Sequence, residues 1–133
     1  MNYIATYFIA LPVFFIIDLL WLGVIAKPIY QKFLGHMLLE SPRWGFAIAF
    51  YLLFILGLVI FAIQPAIVSG SAQKALFLGA MFGFFSYMTY EFTNYSLIKG
   101  WPIGIVPIDI VWGIFLSGAV SVCTFYLHQV FIG

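Results

Sequence analysis

Four long runs of apolar residues, separated by short polar segments, dominate the pattern along the chain. The runs cover roughly residues 3–26, 42–63, 73–98 and 105–130. Each run is long enough for a helix that crosses the hydrocarbon core of a bilayer, which requires about 20 residues. Three pairs that commonly end or begin helices interrupt the pattern: Lys27-Pro28, Ser41-Pro42 and Gln64-Pro65. The pattern therefore predicts an all-α membrane protein, with four transmembrane helices in one domain that covers residues 1–133.

The loop between the first two runs has a helical pattern of its own. The apolar side chains within residues 28–40 include Ile29, Tyr30, Phe33, Leu34, Met37 and Leu38. They recur at the spacing of one helix face, with polar residues between them, as in a helix that lies along the membrane surface. We therefore expect a short amphipathic interfacial helix between the first and second transmembrane helices. An irregular polar loop is the alternative.

The composition agrees with a protein whose surface faces lipid. Hydrophobic residues make up 65% of the chain and charged residues only 7%, which leaves too little polar surface to cover a water-soluble globule. The net charge is +1, and no block of basic residues is available to neutralise a phosphate backbone. Nucleic acid is therefore not an expected partner. The single cysteine, Cys123, excludes an intrachain disulfide.

The basic residues predict an orientation in the membrane. Four of them, Lys27, Lys32, Arg43 and Lys99, fall in loops on one predicted side, whereas Lys74 alone falls on the other. Loops rich in lysine and arginine remain in the cytoplasm. We therefore expect both termini to lie outside and the amphipathic segment to lie on the cytoplasmic side.

Three of the four acidic residues, Asp18, Glu91 and Asp109, lie within the apolar runs. Residue counts from the predicted cytoplasmic boundary, at 1.5 Å per residue, place each carboxylate at a depth of roughly 12 Å. Ionisable side chains at such depths usually face the bundle interior or an aqueous cavity. We therefore expect the three carboxylates to share one chamber near the cytoplasmic face. In the alternative, Asp109 only stabilises the first turn of the fourth helix, and the other two acids only form packing hydrogen bonds.

Helical spacing identifies the side chains that would face this chamber with the acids. The candidate ligand-binding residues are Asp18, Trp21, Tyr87, Tyr90, Glu91, Asn94, Asp109 and Trp112. On the third helix, Gly79 and Gly83 are four residues apart, which predicts close contact with a neighbouring helix. The chain has no nucleophile, nucleotide-binding or zinc motif. We therefore predict no metal site and assign no catalytic residue or cofactor.

Three segments carry a resemblance to known proteins: DLLWLG at residues 18–23, YEFTNYSLIKGWP at 90–102 and DIVWG at 109–113. Their order and spacing resemble those of a family of small bacterial four-helix membrane proteins. The resemblance implies a multi-pass protein of the bacterial inner membrane. It also implies an association with enzymes that modify fatty acids or phospholipids. It assigns no role to any residue.

Three classes of function fit these observations. The first, which we favour, is a pocket that binds a membrane lipid or another apolar molecule, or assists its modification, with the carboxylates orienting the polar end. The second is a proton-coupled transporter of a small or hydrophobic cation, because aromatic rings and carboxylates both attract cations. The third is a structural or assembly subunit in which the acids only join helices. The sequence does not indicate an oligomeric state.

Overall fold

The described residues form four helices. A computed structural model describes residues 3–38 and 43–132 of the chain. We number the helices α1, Tyr3–Leu34; α2, Trp44–Ser69; α3, Ala72–Leu97; and α4, Ile105–Phe131. The all-α prediction is confirmed. The predicted start of the second helix at Ser41-Pro42 lies outside the described residues.

Two of the helices contain a π-helical turn. In α1 the turn covers Trp21–Ala26 and joins the α-helical segments Tyr3–Leu20 and Lys27–Leu34. In α2 it covers Val59–Ile63 and joins Trp44–Leu58 to Gln64–Ser69. The backbone angles remain helical on both sides of each turn, so each helix is continuous.

The predicted helix ends at Lys27-Pro28 and Gln64-Pro65 are therefore wrong. Each proline follows directly on a π turn, at the start of the next α-helical segment. Within a regular α-helix, a proline ring would collide with the carbonyl four residues earlier. The wider π turn moves that carbonyl aside. The first helix consequently ends at Leu34, and the second continues to Ser69, where Gly70 with φ 67° terminates it.

The predicted interfacial helix is not a separate element. Residues Lys27–Leu34, which form most of its predicted range, continue α1 instead. A turn follows at residues 35–37, and the last two residues of the predicted range lie outside the described part of the chain. The amphipathic pattern is thus present, but on the end of a longer helix.

Within the described residues, α1, α2 and α4 are long and apolar enough to cross a membrane. Helix α3 has 26 residues but carries polar side chains at both ends, including Lys74 and Glu91, which lower its hydropathy. A fourth transmembrane helix therefore stays a prediction. Helix α3 begins at the N-cap Ser71, whose Oγ accepts a hydrogen bond from the Lys74 backbone N–H at 3.1 Å.

Helices α3 and α4 form the most extensive helix pair. A Cβ atom added to Gly79 would lie 2.7 Å from the Ser117 carbonyl oxygen, and one added to Gly83 would lie 2.6 Å from Ser117 Oγ. The two backbones are therefore in direct contact, and the close approach predicted for Gly79 and Gly83 is confirmed. Because of this contact, the acidic residue of α3 faces that of α4.

The apolar core lies among α1, α2 and α4. Phe14, Leu58 and Leu116 are fully buried in it. At one end of this core, Gln64 Nε2 donates a buried hydrogen bond of 2.8 Å to Thr6 Oγ1, which joins α2 to α1. The opposite end of the bundle is less tightly filled, and it holds the candidate site.

Candidate functional site

A cavity of about 470 Å³ lies at the end of the bundle where α1 ends and α3 connects to α4. All four helices contribute to its wall, together with Leu38 after α1 and Trp101 in the α3–α4 connection. The polar lining consists of three carboxylic acids, four tyrosines, three tryptophans and one serine, and the rest is aliphatic or phenylalanine. No lysine, arginine or histidine of the described residues lines it.

The three acids come from three different helices. Asp18 of α1 is 5% exposed, Glu91 of α3 is 1% exposed and Asp109 of α4 is 7% exposed. All three line the same cavity, although their sequence separations are large. They lie at different distances from the helix ends: Asp18 is 16 residues before the end of α1, Glu91 is six residues before the end of α3, and Asp109 is four residues after the start of α4.

Asp109 occupies the centre of the acidic group. Its Oδ1 accepts a hydrogen bond of 3.0 Å from the Tyr30 hydroxyl, and its carboxyl group interacts with both Asp18 and Glu91. Helix α4 begins at Ile105, and its first turn contains no acidic residue. Asp109 is therefore placed to line the cavity and is not a first-turn acid.

The other two acids have different donors. Glu91 Oε1 accepts a hydrogen bond of 2.9 Å from Trp101 Nε1. The side chains of Tyr51 and Trp112 face the Asp18 carboxylate as donors. Neutral donors therefore surround all three carboxyl groups, and no cationic side chain reaches the cavity wall from the described residues.

Two tryptophans from α1 and α4 form a stacked pair in the cavity wall. The rings of Trp21 and Trp112 lie 4.3 Å apart, with an angle of 9° between their planes. The Trp21 indole nitrogen is buried next to Tyr30 without a hydrogen bond of good geometry. Both indoles line the cavity together with Asp18.

Seven of the eight predicted site residues line the cavity: Asp18, Trp21, Tyr87, Tyr90, Glu91, Asp109 and Trp112. Asn94 does not line it. This residue lies one turn beyond Tyr90 toward the end of α3, where its carbonyl accepts the Ile98 backbone N–H at 2.8 Å. The role of these residues in ligand binding stays a prediction.

The sequence did not identify four polar side chains of the cavity: Tyr30, Tyr51, Ser86 and Trp101. Tyr30 belongs to the segment that was expected on the membrane surface, and Trp101 lies in the connection between the third and fourth apolar runs. Tyr51 lies seven residues into α2, and its hydroxyl was the only signal that distinguished it from its apolar neighbours. Tyr30 is 79 residues from the acid that it contacts, whereas Trp101 is only 10 residues from Glu91.

Basic side chains surround the cavity end of the bundle. Lys27, Lys32, Arg43 and Lys99 are all exposed there, whereas Lys74 lies at the other end. Lys32 Nζ lies 5.6 Å from the centre of the Phe33 ring, and that ring packs against Gly104 at the start of α4. The cavity is thus acidic inside and basic at its rim.

The arrangement limits the chemistry that the side chains can perform. No group of three or more His, Cys, Asp or Glu side chains in the described part of the chain is arranged to hold a metal ion. The carboxyl groups can accept hydrogen bonds, hold protons or attract a cation, and the tyrosine and tryptophan groups can donate hydrogen bonds. These groups can orient a bound molecule by its polar end.

The fold and the composition of its surface define a multi-pass helical membrane protein. The model of a family described as "Predicted membrane protein (DUF2177)" matches residues 3–126, and the chain belongs to this family. The resemblance to a family of membrane proteins is therefore confirmed. No curated protein and no solved structure matches the chain.

Proposed function

We propose that the protein binds a membrane lipid or another apolar molecule in the cavity, with its carboxyl groups orienting the polar end of that molecule. One observation carries this proposal. The cavity of about 470 Å³ has largely apolar and aromatic walls with a few convergent polar groups, which is the usual construction of a small-molecule site. If the acids served only to pack the helices together, the bundle would not require a cavity of this size.

The openings of the cavity favour a ligand that arrives from the membrane. Leu38, Phe50 and Tyr90 line the cavity and are each about half exposed. A molecule dissolved in the lipid can therefore reach the acids past apolar side chains without crossing a polar surface. We propose that α3 is the fourth transmembrane helix and that both termini lie outside, with the cavity facing the cytoplasmic leaflet of a bacterial inner membrane.

The test uses a substitution that fills the cavity. Ser86 of α3 lines it, whereas Ser96 of the same helix is exposed and does not. Purified wild-type protein should carry a co-purifying lipid or apolar molecule detectable by mass spectrometry of the extract. Ser86→Phe should lose most of it, and Ser96→Phe should retain it. Equal amounts in both variants, or none in the wild type, would refute the proposal.

A partner that modifies the bound molecule would fit this function. The resemblance of the sequence to the family of bacterial membrane proteins implies an association with lipid-modifying enzymes. In that case the cavity would present an acyl chain or head group to the enzyme at the basic rim. Cross-linking from Lys99, which is exposed at that end, would capture such an enzyme in cells.

Proton-coupled transport of a small or hydrophobic cation is the second candidate, and one contact favours it. The carboxyl groups of Glu91 and Asp109 lie close enough in the cavity to interact with each other. Two carboxyl groups can share a hydrogen bond only when one of them carries a proton. Such a pair could exchange that proton for a cation. Proton-driven uptake into proteoliposomes that Glu91→Gln abolishes would favour transport over simple binding.

In the third candidate, a structural or assembly subunit, the acids only hold the helices together. In that case Glu91→Gln, which preserves shape and hydrogen bonding, should leave both the bound molecule and the cellular phenotype unchanged. Loss of either, with normally folded protein, would refute the structural reading.

A further inference from the structure

We propose that Asp18 and the stacked indoles of Trp21 and Trp112 form a subsite for a positively charged nitrogen, the ammonium head of an amphiphilic ligand. This inference rests on the proposed binding function and identifies the charge of the ligand. It concerns one side of the cavity, around Asp18, and leaves open whether the protein also moves the ligand.

The first argument is the balance of charge. Three nearly buried carboxylic acids line the cavity, and the lysines and arginine nearest to it are exposed at the rim. Carboxylates removed from water normally have a cationic partner or a metal. No cationic side chain of the described residues lines this cavity. A ligand cation would complete the charge balance, whereas an anionic head group would be repelled.

The second argument distinguishes Asp18 from the other two acids. Glu91 already accepts the Trp101 N–H at 2.9 Å and contacts Asp109, which in turn accepts the Tyr30 hydroxyl at 3.0 Å. Asp18 also interacts with Asp109, but it is not part of the contact between Glu91 and Asp109, and the donors beside it come from α2 and α4. It is therefore the acid best placed to attract a ligand without breaking the Glu91–Asp109 pair.

The third argument is the aromatic wall beside Asp18. Trp21 and Trp112 line the cavity together with Asp18, and their rings stack with 4.3 Å between ring centres. Indole faces attract ammonium groups, and the attraction is strongest where water is excluded. The Trp21 indole N–H is buried without a hydrogen-bond partner, and an oxygen atom next to the ligand's ammonium group would satisfy it. A carboxylate beside tryptophan rings is a suitable environment for an alkylated ammonium.

The cavity also has an apolar wall that can hold the alkyl part of the ligand. Its residues are Leu34 at the end of α1, Leu38 just after α1, and Phe50 and Phe54 of α2, all of which line the cavity. Leu38 and Phe50 are also half exposed, so an alkyl chain can continue from the cavity into the surrounding lipid. The expected ligand is therefore an amphiphile with an ammonium head and at least one alkyl chain.

The experiment compares three probes with the same ten-carbon chain: decyltrimethylammonium, decanol and decanoate. Each is titrated calorimetrically into the purified full-length protein in uncharged dodecyl maltoside micelles, with protein-free micelles as the blank. We expect decyltrimethylammonium to bind about tenfold more tightly than decanol, and decanoate to bind least. Asp18→Asn should remove the preference for the cation over decanol.

A pair of tryptophan variants tests the aromatic wall. Trp21→Leu removes one ring of the stack and should weaken binding of the cation severalfold more than binding of decanol. Trp44→Leu is the matched control, because Trp44 is 61% exposed and does not line the cavity. It should bind all three probes like the wild type. If Asp18→Asn does not fold, the three wild-type titrations and the tryptophan pair still decide the question.

The outcomes separate this inference from the proposed function. Equal binding of the three probes, or tightest binding of decanoate, would overturn the ammonium subsite while leaving the apolar binding site intact. No binding of any probe would overturn both. Retention of the cation preference in Asp18→Asn would overturn the assignment to Asp18. A displacement experiment identifies the source of the ammonium group. If phosphatidylethanolamine displaces the bound decyltrimethylammonium and phosphatidylglycerol does not, the ligand is a phospholipid. If neither lipid displaces it, the ligand is a single-chain amine.

Discussion

The contact between α3 and α4 makes a quantitative prediction at Gly83. A Cβ atom at this position would lie 2.6 Å from Ser117 Oγ and would also press on the carbonyl of Gly113. The helices cannot accommodate it without moving apart. Overpacking of this kind costs about 1–3 kcal/mol, and the better helix propensity of alanine recovers at most about 1 kcal/mol. We therefore expect Gly83→Ala to lower the free energy of unfolding by about 1–2 kcal/mol.

The measurement is reversible unfolding of the purified protein with sodium dodecyl sulfate in mixed micelles, followed by tryptophan fluorescence. Gly45→Ala is the matched control, because a Cβ atom on Gly45 would meet nothing within 4 Å. This control should be as stable as the wild type or slightly more so. If the two variants unfold at the same denaturant fraction, the backbones of α3 and α4 are not in the contact described, and the closeness of Glu91 to Asp109 loses its structural basis.

Two further predictions concern the cavity and the orientation. Tyr30→Phe removes the hydroxyl that donates the 3.0 Å hydrogen bond to Asp109, and it should lower the free energy of unfolding by about 1–3 kcal/mol in the same assay. Tyr126→Phe is the control, because Tyr126 is half exposed, and it should not change the stability. Equal effects of the two substitutions would contradict the Tyr30 contact. In a Cys123→Ser background, the orientation can be tested with Gln73→Cys and Lys99→Cys. An impermeant thiol reagent should label position 73 in intact cells and position 99 only after lysis. The reverse pattern would refute the proposed orientation.

The sequence indicated that the three acids lie near one another, but by a residue count that fails for one helix. The acids were expected to share a level because each lies a similar number of residues from one boundary, and all three line one cavity. The count itself does not hold in α1, because that helix continues to Leu34, 16 residues beyond Asp18, whereas Glu91 lies six residues before the end of α3 and Asp109 four residues after the start of α4. The bounds of α3 and α4 lie within one residue of the predicted runs, because both helices are regular throughout.

The prolines caused the largest errors. A proline that follows a polar residue reads as a helix end, yet Pro28 and Pro65 both continue helices because π turns precede them. The π turns leave no obvious trace in the apolar pattern, since the sequences WLGVIA and VIFAI are equally compatible with an α-helix. The contacts of Tyr30 depended on this feature and could not be predicted without it.

The π-helical turn at Trp21–Ala26 also sets the rotational phase of the rest of α1. In a regular α-helix each residue advances the side-chain direction by about 100°, so Asp18 and Tyr30 would point roughly 120° apart. One extra residue in a π turn removes about 100° of that difference, which leaves the two side chains about 20° apart. The turn thus acts as a one-residue insertion. It rotates the second part of α1 so that Tyr30 and Asp18 point into the same cavity. Loss of one residue from it, such as Gly23, would leave both halves of α1 helical and yet rotate Tyr30 away from Asp109.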